Sequence, residues 1–260
     1  MSSTTMITRY CPRCLQQQKT SVLRKTALDW RCEHCFSIFP IIDNASIMLL
    51  DFAAWFAQQG DMLLLRNDLS AEQYNFFLQY PGPLRETQKH LYRYLNAPKS
   101  PLHKWLQHEL DSLDGNIVDL GCGIGLHDRK DIVGIDLNWT LLQRYPGEKI
   151  IADIFALPFL ARQMDAVLLL NIFDSLSHPF ALLQQADALL KKGGTILFSS
   201  PFCWDDHITP IQEQQNDAWV KEFFLRANYQ LVEDQYDWFV QITPNSYTTH
   251  RCHTIRATKI

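Results

Sequence analysis

The chain has 260 residues, 47% of them apolar, and a formal net charge of −4. That length holds one large domain, or a domain of roughly 150–200 residues with a small appendage, and the apolar content excludes a disordered chain. The mild net charge excludes a generic polyanion binder, yet it is unevenly spread: residues 1–35 carry six Lys/Arg against two Asp/Glu, or +4, which leaves −8 on the rest. A basic head on an acidic body reads either as solvated charge on a small ribbon or as a contact for an acidic partner.

The first unit holds four of the seven cysteines, as Cys11-x-x-Cys14 and Cys32-x-x-Cys35 with 17 residues between the pairs. The N-terminus lacks the apolar core of a signal peptide, and no run approaches the roughly 18 apolar residues of a membrane span. The expectation is therefore a soluble, cytoplasmic protein with no membrane partner, in which paired cysteines mean metal rather than disulfide. Two such hairpins supply four thiolates that close a tetrahedron around a structural Zn2+ with no open position. His34 lies between two ligands as a bystander.

Residues 51–110 lack strand alternation and read as helical, with apolar and aromatic residues three and four apart in DFAAWFAQQ and LRETQKHLYRYL. From Asn116 the texture changes. IVDLG, IVGID, KIIAD, DAVLLLN and TILFSSP read as buried parallel strands. FALLQQADALLKK reads as an amphipathic helix running to Gly193-Gly194, and stretches 229–242 and 247–260 as an antiparallel ribbon. Alternating strands and helices of this kind imply an open α/β sheet with helices on both faces. The units are then 1–50, a zinc ribbon; 51–110, a helical cap or linker; and 111–260, the α/β domain.

Val118-Asp119-Leu120 ends a strand and runs straight into Gly121-x-Gly123-x-Gly125. Glycines there let the backbone turn tightly and approach a ligand. The dinucleotide fingerprint wants a further glycine where Leu126 stands, which leans away from a nicotinamide cofactor. Asp136 ends the next strand, 17 residues after Asp119, where a carboxylate can accept from both hydroxyls of a ribose. Asp153 and Asn171 end the following two strands.

These stretches, VDLGCGIG, VGIDLN, ADIFALPF, DAVLLLNIFDSLSHP and LLKKGGTILFSSP in that order, resemble class I methyltransferases dependent on S-adenosylmethionine (SAM). The resemblance spans roughly residues 116–202 and implies a Rossmann-like, seven-stranded sheet with helices on both faces. It also implies that Asp119, Gly121 and Gly123 contact the methionine portion of SAM, with Asn171 near that end. Asp136, with Leu137 beside it, would hold the ribose, and Asp153 with Ile154 the adenine. One departure stands out. Only LHDRKDI separates Gly125 from Val133, room for about one and a half turns where the family usually places several, so the first helix is short or replaced by a loop.

The tail of the first unit, FPIIDNASIMLL, is similar to the close of the small zinc-binding activator subunit of tRNA, rRNA and release-factor methyltransferases. After the fifth strand, Pro201-Phe202-Cys203-Trp204-Asp205-Asp206-His207-Ile208-Thr209-Pro210 is similar to a segment of the methyltransferase domain of ovothiol synthases. That loop supplies His207 and Asp205 as candidate bases and Trp204 as a stacking surface, with Asp174 in reach from the fourth strand. A small-molecule acceptor bearing an O, N or S nucleophile fits the acidic body. An RNA or protein acceptor held by the ribbon is the alternative, and a non-catalytic binding module of the same fold is a second alternative.

Overall fold

The computed structural model describes residues 7–52, 55, 94, 97–243 and 245–260. The first unit forms α1 (Pro12–Gln16), β1 (Leu23–Lys25), β2 (Asp29–Cys32), β3 (Ile38–Ile42) and β4 (Ala45–Ile47). After α2 (Pro101–Leu110) come β5 (Ile117–Leu120), β6 (Val133–Asp136), α3 (Trp139–Leu142), β7 (Glu148–Ile151) and β8 (Met164–Leu170). The chain closes with α4 (Pro179–Leu189), β9 (Leu190–Ser200), α5 (Asp217–Arg226), β10 (Tyr229–Thr243) and β11 (Ser246–Lys259). Most of the stretch expected to be helical between 51 and 96 lies outside the described residues; Tyr94 and α2 are helical.

The strands join in the order β1-β2-β3-β4-β7-β6-β5-β8-β9-β11-β10. Neighbours from β4 to β9 run parallel, and the pairs at either end run antiparallel. Strand order reverses between β5 and β8, and such a switch point opens a crevice at the carboxyl ends of the strands. Side chains of β8 alternate faces. Ala166, Leu168 and Leu170 share one core with Leu102, Leu106 and Leu110 of α2, while Val167 and Leu169 share the other with Leu182, Leu183 and Ala186 of α4. Each such leucine contributes roughly 1.5–3 kcal/mol by leaving water. Among the described residues, no helix is long and apolar enough to cross a membrane.

Two expectations need correction. A seven-stranded sheet beside a separate ribbon was expected, but the sheet is one body of eleven strands. β4 pairs in parallel with β7, Ile47 opposite Ile151, and Met48 donates its N–H to Ile151 O at 2.8 Å. The edge of β7 is thus covered, and Trp30, Phe39 and Met48 share a core with Val118, Ile135 and Ile150. The second correction concerns α4, which ends at Leu189 rather than at Gly193. Leu190 is already opposite Met164 in the ladder, and the four residues after it bulge out before Thr195 pairs with Ala166.

An ion pair also ties the first unit to the sheet. Arg9 is 1% exposed, sits over the Phe159 ring at 4.8 Å and meets Glu148 of β7 at 2.9 Å. Glu148→Ala would leave that guanidinium buried without its counter-charge. We expect a loss of about 1–2 kcal/mol in urea unfolding, below the range for fully buried pairs because Glu148 is partly exposed.

Candidate active site

At the switch point β5 runs into a turn that only glycine makes without strain: Gly121, Gly123 and Gly125 have φ of +67°, +53° and +82°. A Cβ on Gly121 would lie 2.4 Å from Ile172 Cγ1. Asp136, at the end of β6, accepts the N–H groups of Gly123 and Asn138, both at 2.7 Å. Burial raises its carboxyl on balance, against the smaller downward pull of these backbone donors. The LHDRKDI segment contains no helix.

The turn forms one wall of a cavity of about 310 Å³. Gly121, Gly123, Asp136 and Asn171 all line it. Asn171 sits at φ +54°, and its Oδ1 accepts from Ser199 Oγ at 2.9 Å. Its Nδ2 is buried and has no partner among the described residues, an orphan donor at the cavity wall. Asp119 lies behind the turn rather than on the wall. Leu137, Asp153 and Ile154 lie outside this cavity. Leu137 is half-exposed, its carbonyl accepting from Trp55 Nε1 at 3.1 Å; Asp153 is exposed and caps Phe155 N–H at 2.9 Å; Ile154 is buried in the core.

None of the four expected catalytic side chains lines the cavity. Asp174 is buried and accepts the Cys203 N–H at 2.7 Å, and burial raises its carboxyl. Trp204 packs edge-on against Phe173 at 5.5 Å, and Asp205 caps the N–H of exposed His207. The cause is aromatic. Phe173, Phe198, Phe202 and Trp204 cluster with the α4 and α5 face, whereas Leu126, Leu170 and Trp238 pack with the α2 face, on which the cavity opens.

The far wall comes from His103, which sequence reasoning passed over, and from Trp238 and Phe239, with Tyr94, whose ring stacks on Trp238 at 5.9 Å. Ser100-Pro101-Leu102-His103 was the available signal, a capping box with histidine where Glu or Gln is usual. His103 Nδ1 accepts the Ser100 N–H at 3.1 Å, so the ring proton sits on Nε2. Burial and nearby Lys99 push its pKa down, which keeps the ring a neutral donor. A second groove of about 670 Å³ adjoins the cavity, sharing Tyr94, His103 and Leu126 with it.

Away from the cavity, the sulfurs of Cys11, Cys14, Cys32 and Cys35 lie within 4.8 Å of one another. Cys11–Cys35 and Cys14–Cys32 separations are 3.5 and 3.7 Å. A tetrahedron with metal–sulfur bonds of about 2.3 Å has edges of about 3.8 Å, so the thiols fit a four-coordinate metal ion.

The sequence pattern of a family described as a methyltransferase domain matches residues 88–234, more than half of the chain. The chain belongs to that family. It is a methyltransferase, and the methyltransferase fold supports SAM as the donor. A SAM-dependent methyltransferase from Archaeoglobus fulgidus is 13% identical, with 61% of this chain and 93% of that one covered and a TM-score of 0.47. A protein solved for the conversion of a disulfide bond into a thioacetal group during echinomycin biosynthesis is 14% identical, covering 67% and 92%, at 0.48. A chain from a complex between the Haloferax volcanii Trm112 methyltransferase activator and a methyltransferase is 18% identical, covering 60% and 89%, at 0.43. No curated protein matches the chain.

Gly121→Ala tests the turn of this methyltransferase. The added methyl meets Ile172 and forces a left-handed backbone on alanine, so we expect roughly 1–3 kcal/mol of lost stability in thermal melts. Calorimetric titration should show SAM binding weakened with it.

Proposed function

We propose that the chain transfers the SAM methyl group to a small-molecule acceptor held between the glycine turn and the aromatic wall. The observation that carries this reading is the wall itself. Tyr94, Trp238, Phe239 and His103 bound the cavity opposite the turn, which suits a compact, planar or cationic acceptor more than a polymer. The acidic body points the same way.

The donor assignments follow from strand-end chemistry. Gly121 and Gly123 let the backbone approach the methionine portion, and Asn171 Nδ2 is a free donor for its carboxylate. Asp136 retains lone pairs for ribose hydroxyls beyond the two backbone bonds it accepts. Asp153 and Ile154 remain the adenine-side residues, with Leu137 between them and the ribose, on the strength of the sequence resemblance. When bound, SAM supplies an electrophilic methyl on a sulfonium. The chain's own residues align the acceptor, exclude water and, through His103 Nε2–H, hold a lone pair of the acceptor in place. A base is required only for a protonated nucleophile, and His207, Asp205 and Asp174 would have to swing toward the cavity to serve as one, as would Trp204 to stack on the acceptor.

Cys11, Cys14, Cys32 and Cys35 would hold one Zn2+ in a closed, structural site that orients the ribbon. A second reading, an RNA or protein acceptor, is favoured by one observation. Arg24, Arg31 and Ile38 stand in one cross-strand row on the outer ribbon face, and Phe36 near it is 83% exposed.

Incubating the chain with methyl-labelled SAM and a cell extract should place label in the metabolite fraction. Label confined to RNA or protein would favour the second reading, and no transfer at all would favour a non-catalytic module. Asp136→Ala should weaken SAM binding by roughly 1–3 kcal/mol in calorimetry, and unchanged affinity would remove it from the site. Elemental analysis should find one zinc per chain, lost in Cys32→Ala together with thermal stability.

A further inference from the structure

The cavity continues past its aromatic wall. Beyond Tyr94, His103 and Leu126, which line both spaces, lies the groove of about 670 Å³. Lys99, Lys104, Asp111, Asp128 and Arg144 line the groove and do not reach the cavity. Lys104 directly follows His103 on α2, and Arg144 stands just after α3. Both are exposed.

The acids of the groove are engaged elsewhere. Asp128 faces Lys99 at 3.3 Å. Asp111 accepts from Gln107 Nε2 at 2.8 Å and lends its charge to Arg129. Neither the Lys104 ammonium nor the Arg144 guanidinium has an acidic partner among the described residues. Two cations thus stand unbalanced beside the cavity, on a body that carries −8 beyond residue 35. One exposed cation attracts an anion only weakly through water, but a concave wall that holds several directs their fields onto one ligand.

We propose that the groove is a specificity subsite for an anionic group of the methyl acceptor, with Lys104 and Arg144 as its cations and the planar end of the acceptor against Tyr94 and Trp238. The assignment rests on the small-molecule reading given above and narrows it. Of the planar and cationic acceptors that an aromatic wall accommodates, the groove selects a planar anion and disfavours a cation. One molecule then spans both spaces, its nucleophile at His103, where they meet. The competing source of an anion is the carboxylate of SAM itself, because Gly125 of the turn also lines the groove.

The test incubates the full chain with methyl-labelled SAM and a heat-treated cell extract, removes polymers by ultrafiltration and passes the filtrate over an anion-exchange resin at pH 7. Unreacted SAM, whose sulfonium and ammonium outweigh its carboxylate, flows through, and a reaction without the chain sets the background. Label transferred by the chain should be retained on the resin; transferred label in the flow-through overturns the proposal. The Lys104→Glu, Arg144→Glu double variant should retain label at least about tenfold more slowly, with SAM affinity in calorimetry within about twofold of wild type. Lys130→Glu, the same charge change at an exposed position outside the groove, should keep transfer within about twofold. A double variant that transfers as well as wild type overturns the proposal. So does one that loses SAM affinity in step with transfer, since the cations then serve the donor. If thermal melts show that the double variant does not fold, Lys104→Gln and Arg144→Gln carry the comparison, each expected to slow transfer about two- to fivefold. Label confined to the polymers, or no transfer at all, removes the small-molecule reading itself, an outcome distinct from label in the flow-through.

Discussion

Two backbone N–H groups converge on one carboxylate, and the site is built around that meeting. Asp136 takes the N–H of Gly123 from the turn after β5 and the N–H of Asn138 from the start of α3. In a βαβ unit the helix following the glycine turn ordinarily holds the turn in place. Here no helix follows, so side chains must hold it instead. Asp136 does so from the β6 side, and Tyr145 packs beneath Gly125 and Gly134. The turn keeps its left-handed glycines because its surroundings are filled, by Ile172 against Gly121 and by Tyr145 and Pro146 against Gly125.

The ribbon is bound to the same framework by backbone pairing rather than by side-chain contact alone. β4 continues the parallel ladder at β7, and β7 lies next to β6, which ends in Asp136. Trp30 Nε1 donates to Ser46 Oγ at 3.0 Å, so the strand that carries Cys32 is latched to the strand that enters the sheet. The cysteine cluster and Asp136 are thus joined by an unbroken run of paired strands of few residues each.

What could be read from the sequence was what local chemistry decides. The strands from β5 to β9 announce themselves as short apolar runs, and the glycine turn as the point where such a run stops. The paired cysteines needed only their spacing. The reading failed where distant parts of the chain compete. Trp204 and His207 follow the fifth strand, the expected place for chemistry, but Phe173 and Phe202 draw Trp204 to the opposite face. Trp238 and Phe239 are consecutive on a strand, so a period of two assigns them to opposite faces, and only the path of β10 beside α2 brings both to the cavity. The end of α4 was misplaced because Lys191 and Lys192 continue a helical pattern that ladder pairing at Leu190 overrides.

The β4–β7 pairing also fixes an order of events in synthesis. The cysteines lie within 25 residues of one another near the N-terminus, so the four thiols need only local contacts to gather once Cys35 has left the ribosome. Its docking partner is about 100 residues further on, since Ile47 pairs with Ile151. At roughly 5–20 residues per second that gap lasts on the order of 5–20 seconds. Throughout it, β4, a strand of alanine, serine and isoleucine that pairs with β3 on one side, has no partner for its other side. The nascent chain thus spends its youth with one adhesive strand exposed, and the arrival of β7 is the step that seals it.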